Sequence, residues 1–280
     1  MSARGSAFRL AFGGYVGTLV GGLVTVRVAF TDASPAIVAG AAVTGFLGGL
    51  VVGINVAKRY SQPPIRIGRR RRHGTVVLFS SLSFGLFGCA AMLGLFDPRV
   101  GVVALTFTFA LLFTGWAAAE LGETCYVDSI TADEPSATWR WEPQGRSWLY
   151  AIFVVWWLLM GTVSVFSGDW TASIVRTGFA TTGVCVALEE GTWRIETLGA
   201  TPEIRVHEAG VVKQWPFRRS IVRWDEVDHV RLRDNELVLD RGLFDVRFER
   251  DEVADLEAVA TEIERRLERV SADGPVALPR

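Results

Sequence analysis

The first two thirds of the chain alternate long apolar runs with short polar breaks. Six runs of 19 to 23 residues stand out, and each is close to the ~20 residues that an α-helix needs to cross the hydrocarbon of a bilayer. Backbone N–H and C=O groups must bond to one another in hydrocarbon, which favours helices. The predicted membrane spans are 10–30, 35–57, 74–96, 100–121, 148–166 and 170–188.

After Pro202 the hydrophobic period changes to two, which is typical of strands with one buried face. Residues 192–198 are either one more strand or a helical extension of the last span. From Val253 to Val270 apolar residues recur every three or four positions, which predicts an amphipathic helix with Asp251 as its N-cap. The predicted strands are 203–207, 211–215, 220–224, 229–233, 236–240 and 243–249.

These patterns predict a membrane all-α part and a small soluble β-rich domain with a C-terminal helix. A composition shift near residue 190 marks the boundary. We therefore expect a six-helix transmembrane domain over 1–189, a cytoplasmic domain over 190–270 and a flexible tail over 271–280. The sheet is expected to curl into a partial barrel that the helix covers.

The distribution of basic residues orients the spans. Residues 58–73 carry seven Lys or Arg between two apolar runs, and cytoplasmic loops are enriched in such residues. This places both termini and the long loops 58–73 and 122–147 in the cytoplasm, with the chain in the cell membrane. Trp139 and Trp141 of the second loop are expected near the membrane interface. The residues of the topology anchor are Lys58, Arg59, Arg66, Arg69, Arg70, Arg71 and Arg72.

Glycines recur every four residues in the first two spans. Small residues at this spacing form a smooth stripe that allows two helices to approach closely. We expect the two stripes to pack on one another; the alternatives are that each faces another protomer, or that glycine is simply common in membrane helices. The stripes are Gly13, Gly17 and Gly21 in the first span, and Gly45, Gly49 and Gly53 in the second.

The C-terminal part resembles the bacterial-type pleckstrin-homology (PH) domain. The resemblance is carried by the segment 221–230, with Trp224 before Asp225 and Glu226, then by 236–240, 244–248 and the final helix. It covers roughly 190–270 and implies a fold rather than a reaction. The whole chain resembles membrane proteins of unknown function that carry such a domain in the cytoplasm.

Four basic residues around the hairpin 211–224 form a candidate membrane or partner patch: Lys213, Arg218, Arg219 and Arg223. Eukaryotic PH domains bind phosphoinositides through a basic loop, so the resemblance implies headgroup contact as one use of this patch. Residues 190–280 hold fifteen Lys and Arg against twenty Asp and Glu, a net charge of −5. That charge works against specific lipid capture and against a nucleic-acid partner.

Candidate chemistry inside the spans is sparse. Arg176, Asp169 and Glu120 form a candidate intramembrane polar site, in which Arg176 either pairs with Asp169 or Asp97 or extends to the interface. The segment 189–194 matches the first motif of CAAX-type membrane proteases, but the later membrane histidines are missing. We expect no catalytic residues, no metal site and no cofactor, and the three distant cysteines indicate no disulfide framework.

The sequence therefore predicts a non-enzymatic membrane scaffold or interaction protein. Its cytoplasmic domain would bind a protein partner or a second copy through 190–270, while the spans contact the lipid bilayer. The alternative is a small-solute or ion transporter or channel, which six spans favour and the scarcity of buried charge disfavours.

Overall fold

A computed structural model of the chain describes residues 3–31, 33–59, 73–142, 147–189, 193, 200–242 and 245–273. The chain forms two compact units. The first contains Met1–Tyr126 and Trp148–Cys185, and the second contains Val127–Ser147 and Val186–Arg280. The predicted single boundary near residue 190 thus differs from this division, because the segment between the fourth and fifth apolar helices belongs to the second unit.

Six apolar helices make up most of the described part of the first unit. Four of them contain stretches long and apolar enough to cross a membrane, namely Gly5–Ala29, Pro35–Arg59, Pro98–Ile130 and Trp148–Phe166. The apolar helices Val76–Met92 and Ala172–Leu188 are shorter. The full bounds are α1 (Ala3–Ala29), α2 (Pro35–Arg59), α3 (His73–Met92), α4 (Pro98–Ile130), α5 (Ser147–Phe166) and α6 (Trp170–Glu189).

Many Ser and Thr hydroxyl groups in these helices donate to a carbonyl of their own helix. Thr25 Oγ1 donates to Gly21 O over 2.6 Å, and Ser81 Oγ donates to Val77 O over 2.8 Å. A hydroxyl that bonds to the carbonyl one turn earlier needs no partner from a neighbouring helix. The helices therefore accommodate Ser and Thr in apolar surroundings. The same pattern holds for Thr18, Thr44, Thr106, Thr108, Thr114, Thr162, Ser164, Thr181 and Thr182.

Two of the tight turns between helices share one design. Gly94 after α3 and Gly168 after α5 have φ values of 77° and 75°, a left-handed conformation that glycine adopts without steric cost. An aspartate then begins the next helix: Arg99 N donates to Asp97 Oδ1 over 2.7 Å, and Ala172 N donates to Asp169 Oδ1 over 3.0 Å. Each turn thus ends one helix and caps the next.

The described residues of the second unit form two antiparallel sheets followed by a C-terminal helix, so the predicted small β-rich domain with a C-terminal helix is confirmed. The first sheet has the order β1-β2-β3-β4 and the second has the order β5-β6-β7. The strands are β1 (Ala137–Arg140), β2 (Glu203–His207), β3 (Gly210–Gln214), β4 (Arg219–Arg223), β5 (His229–Leu232), β6 (Glu236–Asp240) and β7 (Val246–Glu249). Strands β2 and β6 have the bounds that the sequence pattern predicts, whereas 192–198 lies outside the described residues apart from Trp193.

The C-terminal helix, α7, runs from Leu256 to Asp273 and begins later than predicted. Asp255 accepts a hydrogen bond from Ala258 N at 3.0 Å, so the prediction that Asp251 is the N-cap is wrong. Val253 forms a bridge with Trp141, and Glu142 N donates to Glu252 O over 2.8 Å. This pairing holds the chain out of the helix until residue 255.

The core of this unit lies between the sheets and α7. Trp141, immediately after β1, is only 3% exposed, so the expectation that it lies at the membrane interface is wrong. It packs edge-on against Trp215, with ring centroids 4.3 Å apart. The buried core consists of Trp141, Ile204, Val206, Val211, Val222, Trp224, Val227, Leu237, Leu239, Phe248, Val253, Leu256, Val259, Ala260 and Ile263.

Candidate functional site

The segment from the last turn of α4 to the first residue of α5, here called the connector (residues 127–147), contributes the first strand of the first sheet. Strand β1 pairs antiparallel with β2, with Trp139 opposite Ile204 and Ala137 opposite Val206. Strand β1 is the edge strand of this sheet. It pairs with backbone groups of β2 that would otherwise be exposed. The domain is thus built from two stretches of sequence separated by α5 and α6.

Side chains of the connector bind the domain at three further points. Asp128 Oδ1, in the last turn of α4, lies 2.6 Å from Arg219 Nη1. Asp133 Oδ1 lies 3.3 Å from Nδ1 of the buried His207, and its other oxygen accepts from Glu208 N at 3.0 Å. These contacts reach β4 and the β2–β3 turn.

The third point is Ser136, whose hydroxyl donates to Glu262 Oε1 in α7 over 3.0 Å. Burial raises the pKa of Glu262, but hydrogen bonds from Ser136 and Arg265 outweigh this and leave the pKa below its ordinary value. The charged carboxylate therefore suits this position, and the connector is attached to both the first sheet and α7.

Lys213 of the predicted patch lies among aromatic rings. Its Nζ is 4.0 Å from the ring centroid of Phe248 and 5.1 Å from that of Trp141. Desolvation lowers the pKa of Lys213 from 10.5 to about 8; the Glu252 carboxylate opposes this effect and the Arg218 guanidinium adds to it. Cation–π attraction offsets part of the cost of burying the ammonium group. Lys213 thus connects β3 with β7.

The other predicted patch residues have separate surroundings. Arg223 forms two hydrogen bonds with Asp225, at 2.8 and 2.6 Å, and Arg219 bonds to Asp128. Arg218 lies over the ring of Trp215, with its Cζ 5.2 Å from the centroid. With Lys213 among rings, the four cations do not form one common anion site, although Arg218 and Arg219 adjoin the exposed Phe217 in sequence.

A second exposed surface lies on the other sheet. Among the strands that the structure describes, β5 pairs with β6 alone and therefore lies at the edge of its sheet. Three of its four residues are exposed, and Leu232 is 44% exposed. An edge strand offers unpaired backbone groups to an incoming chain. Among the surfaces of the described residues, this strand is therefore a candidate for contact with a protein partner.

Arg176 of the candidate intramembrane site lies on α6 and bonds to α5. Its Nη1 donates to Met160 O over 3.0 Å and also to the Ser164 hydroxyl. Within the part of the chain that the structure describes, these are its hydrogen-bond partners, so Arg176 is not paired with Asp169, which caps α6 instead. Glu120 lies half-buried in α4 and is not a partner of Arg176 either.

The glycine stripes of α1 and α2 face each other in antiparallel order. A methyl group added to Gly45 would lie 2.9 Å from Gly21 Cα. The equivalent distances are 2.8 Å from Gly49 to Gly17 Cα and 2.8 Å from Gly53 to Gly13 Cα. Real Cβ atoms do not approach other carbons this closely. The two backbones are therefore in contact only because these positions lack side chains.

The topology anchor is described in part. Lys58 and Arg59 are exposed at the end of α2, where cations interact favourably with the helix dipole. The remaining anchor residues, Arg66, Arg69, Arg70, Arg71 and Arg72, lie outside the described residues.

Comparison with protein families, with characterised proteins and with solved structures found no match to this chain. Sequence reasoning missed Trp141, Asp128 and Asp133 as parts of the β-rich domain. The alternation of Ala137-Thr-Trp139-Arg-Trp141 was a usable signal, because β-branched and aromatic residues at period two are typical of strands. Because this segment lies between two predicted spans, its position favoured a loop at the membrane interface instead.

Proposed function

We propose that this chain crosses the membrane six times and presents a PH-like interaction domain in the cytoplasm. Helices α3 and α6 have 20 residues each, about 30 Å at 1.5 Å per residue, which matches the hydrocarbon thickness. The turns 93–97 and 167–169 join them to α4 and α5, so each returns across the bilayer. The basic anchor supports a cytoplasmic side for the long loops and both termini.

The PH-like interpretation is supported by the order of elements. A series of short antiparallel strands is followed by one amphipathic helix that packs against β5 and β6, and Trp224 of the resembling segment is buried in the core. The connector supplies the first strand. Fold does not by itself define function, so the functional part of the proposal depends on exposed surface.

The interaction surface that we propose is the outer edge of β5. This strand is exposed along most of its length, carries an apolar side chain at Leu232 and belongs to a domain attached to the spans at both ends of its connector. Such an edge accepts an extended segment of another protein or of a second copy by strand addition. The protein would then act as a non-enzymatic scaffold that holds a partner at the membrane.

The test uses the full chain in lipid nanodiscs. Oligomeric mass and proteins co-purified from membranes are compared for the wild type, Leu232→Lys and Phe217→Ser; Leu232 and Phe217 are both 44% exposed. We expect self-association or partner recovery to be lost in Leu232→Lys, because lysine blocks edge pairing, and kept in Phe217→Ser. Identical mass and co-purified proteins in all three would contradict the proposal.

A transporter or channel is the second candidate, and Arg176 is the observation that favours it. Among the described residues, its guanidinium bonds to neutral groups of an apolar hairpin, and charged residues in spans often mark ion paths. Anion flux into vesicles that falls in Arg176→Gln but not in Arg27→Gln would support this function. Absence of flux in the wild type would reject it.

A further inference from the structure

The turn between β3 and β4 carries an exposed aromatic side chain beside cations. Trp215 N donates to Arg218 O over 2.8 Å, which closes the turn 215–218. Phe217 at its tip is 44% exposed, while Arg218 covers the ring of Trp215. Phe217 therefore projects from a turn whose conformation is held by hydrogen bonding and stacking.

This turn and the strand residues on either side of it, Gln214 and Arg219, bond to the two chain segments by which the chain enters the domain from candidate spans. On one side, Arg219 pairs with Asp128, which lies in the last turn of α4. On the other side, Ala200 N donates to Pro216 O over 2.9 Å, and Gln214 Nε2 donates to Thr201 O over 3.2 Å. Ala200 follows the end of α6 by eleven residues. The turn thus lies near the two places where the chain enters the domain, one after α4 and one after α6.

The β5–β6 turn provides a contrast within the same domain. Its residues Asp234 and Asn235 bond to Arg250, which in turn pairs with Glu257 at the start of α7. These contacts are with the C-terminal part of the domain rather than with the connector or the segment after α6. Leu232 next to this turn has the same exposed fraction as Phe217, so the two positions differ mainly in what surrounds them.

We propose that the turn 215–218 contacts the headgroup layer of the bilayer that holds the chain's own spans. Phe217 is the apolar anchor, and Arg218 binds lipid phosphate. Aromatic side chains favour the interface, and an arginine suits phosphate because its guanidinium donates several hydrogen bonds. Of the four basic residues in the predicted patch, Arg218 is the one that lies in this turn. This inference rests on the membrane insertion that the proposed function assumes, but not on a partner at β5.

The test places a photoreactive group at each of the two matched positions. Full-length chains carrying Phe217→p-benzoylphenylalanine or Leu232→p-benzoylphenylalanine are reconstituted into vesicles of phosphatidylcholine and phosphatidylglycerol in equal parts. After irradiation, lipid adducts are quantified by mass spectrometry. We expect about tenfold more lipid adduct at 217 than at 232, because reaction needs contact and interfacial electrostatics acts only near the surface. Similar yields at both positions would overturn the proposal.

The role of Arg218 has its own measurement. Adding Arg218→Gln to the chain labelled at 217 should lower adduct yield severalfold, and an unchanged yield would remove Arg218 from the contact. A further measurement, amide exchange, uses the unsubstituted chain, so a folding defect caused by a substitution cannot affect it. Exchange of the backbone amides of 217–219 should be slower in vesicles than in detergent micelles, with 233–235 equal in both. No difference at 217–219 would contradict the inference.

The outcome is distinguishable from a failure of the proposed function. If no lipid adducts form at 217 while partner binding is intact, the contact of turn 215–218 with the bilayer is rejected and the proposed function is retained. Partner loss in Leu232→Lys with adducts at 217 intact would support both.

Discussion

The α1–α2 pair and the core of the β-rich domain are packed by opposite means. In the helix pair, backbones touch because Gly17 and Gly49 carry no side chains. In the domain, large rings such as Trp141 and Phe248 fill the space between the sheets and α7. Lipid tails are as apolar as leucine, so burying a large side chain between membrane helices gains little, whereas close backbone contact gains dispersion energy. In water, by contrast, the burial of apolar area is the main driving force for folding.

The exposed surfaces differ in the same way. Trp156 on α5 is 56% exposed and Phe166 is 87% exposed, as suits side chains that face lipid. In the domain, the residues around the core are mostly charged and form ion pairs such as Arg231 with Asp240. The same residue type therefore contributes differently to the free energy of folding in the two units. Matched substitutions test this difference.

The largest effect is expected for tryptophan. Trp141→Ala leaves a cavity at the contact of β1, β3 and β7 and should destabilise the domain by about 3–5 kcal/mol. Trp156→Ala, at an exposed position of α5, should leave the domain unchanged. Hydrogen exchange of β2 and β6 amides in the full chain measures both. Equal protection in the two variants would show that the connector does not stabilise the domain.

Adding a methyl group to a stripe glycine is the converse test. Gly49→Ala places Cβ 2.8 Å from Gly17 Cα and Val16 O, and such overpacking should cost about 1–3 kcal/mol. The adjacent Gly48 has nothing within 4 Å of an added Cβ. Gly48→Ala should therefore be neutral or stabilising, since alanine is the better helix former.

Thermal unfolding in detergent micelles compares the two glycine variants. The same stability for Gly48→Ala and Gly49→Ala would show that α1 and α2 do not pack through these stripes.

The start of α7 gives a smaller effect. Asp255→Ala removes the hydrogen bond to Ala258 N and should cost the domain about 1 kcal/mol. Asp251→Ala should cost less, because residue 251 precedes the helix and does not cap it. Chemical denaturation followed by exchange of the α7 amides distinguishes the two. A larger loss in Asp251→Ala would restore the N-cap that the sequence pattern predicts.

The smallest effect concerns the pH dependence of the domain. The pKa of Lys213 is about 8 when folded and 10.5 ordinarily, so between these pH values the unfolded chain binds more protons. Stability should therefore rise with pH across this window and be lowest below pH 8. Lys213→Met should abolish the rise, while Lys58→Met, at an exposed helix end, should retain it. The free energy of unfolding, measured at several pH values, checks this prediction. If the increase in stability with pH is unchanged in Lys213→Met, another titrating group causes it.

Much of the fold was predictable because its signals are local. Apolar run length predicts the helices in the membrane unit, and period two predicts β2 through β7 within a few residues. Contacts of the connector were not predictable in this way. Asp133 and His207 are 74 positions apart in sequence, and no spacing rule joins residues across two intervening helices. Asp255 was missed for a related reason, since the bridge between Trp141 and Val253 delays the helix.

The sequence by itself determined which stretches are apolar enough for lipid, which alternate as strands and where glycine permits close approach, because each depends on neighbours along the chain. Only the tertiary structure decided that β1 and Trp141 belong to the β-rich domain, that Lys213 lies among aromatic rings and that Arg219 bonds to the end of α4. Those choices depend on which distant surfaces exclude water together, and that free energy exists only once the chain has folded.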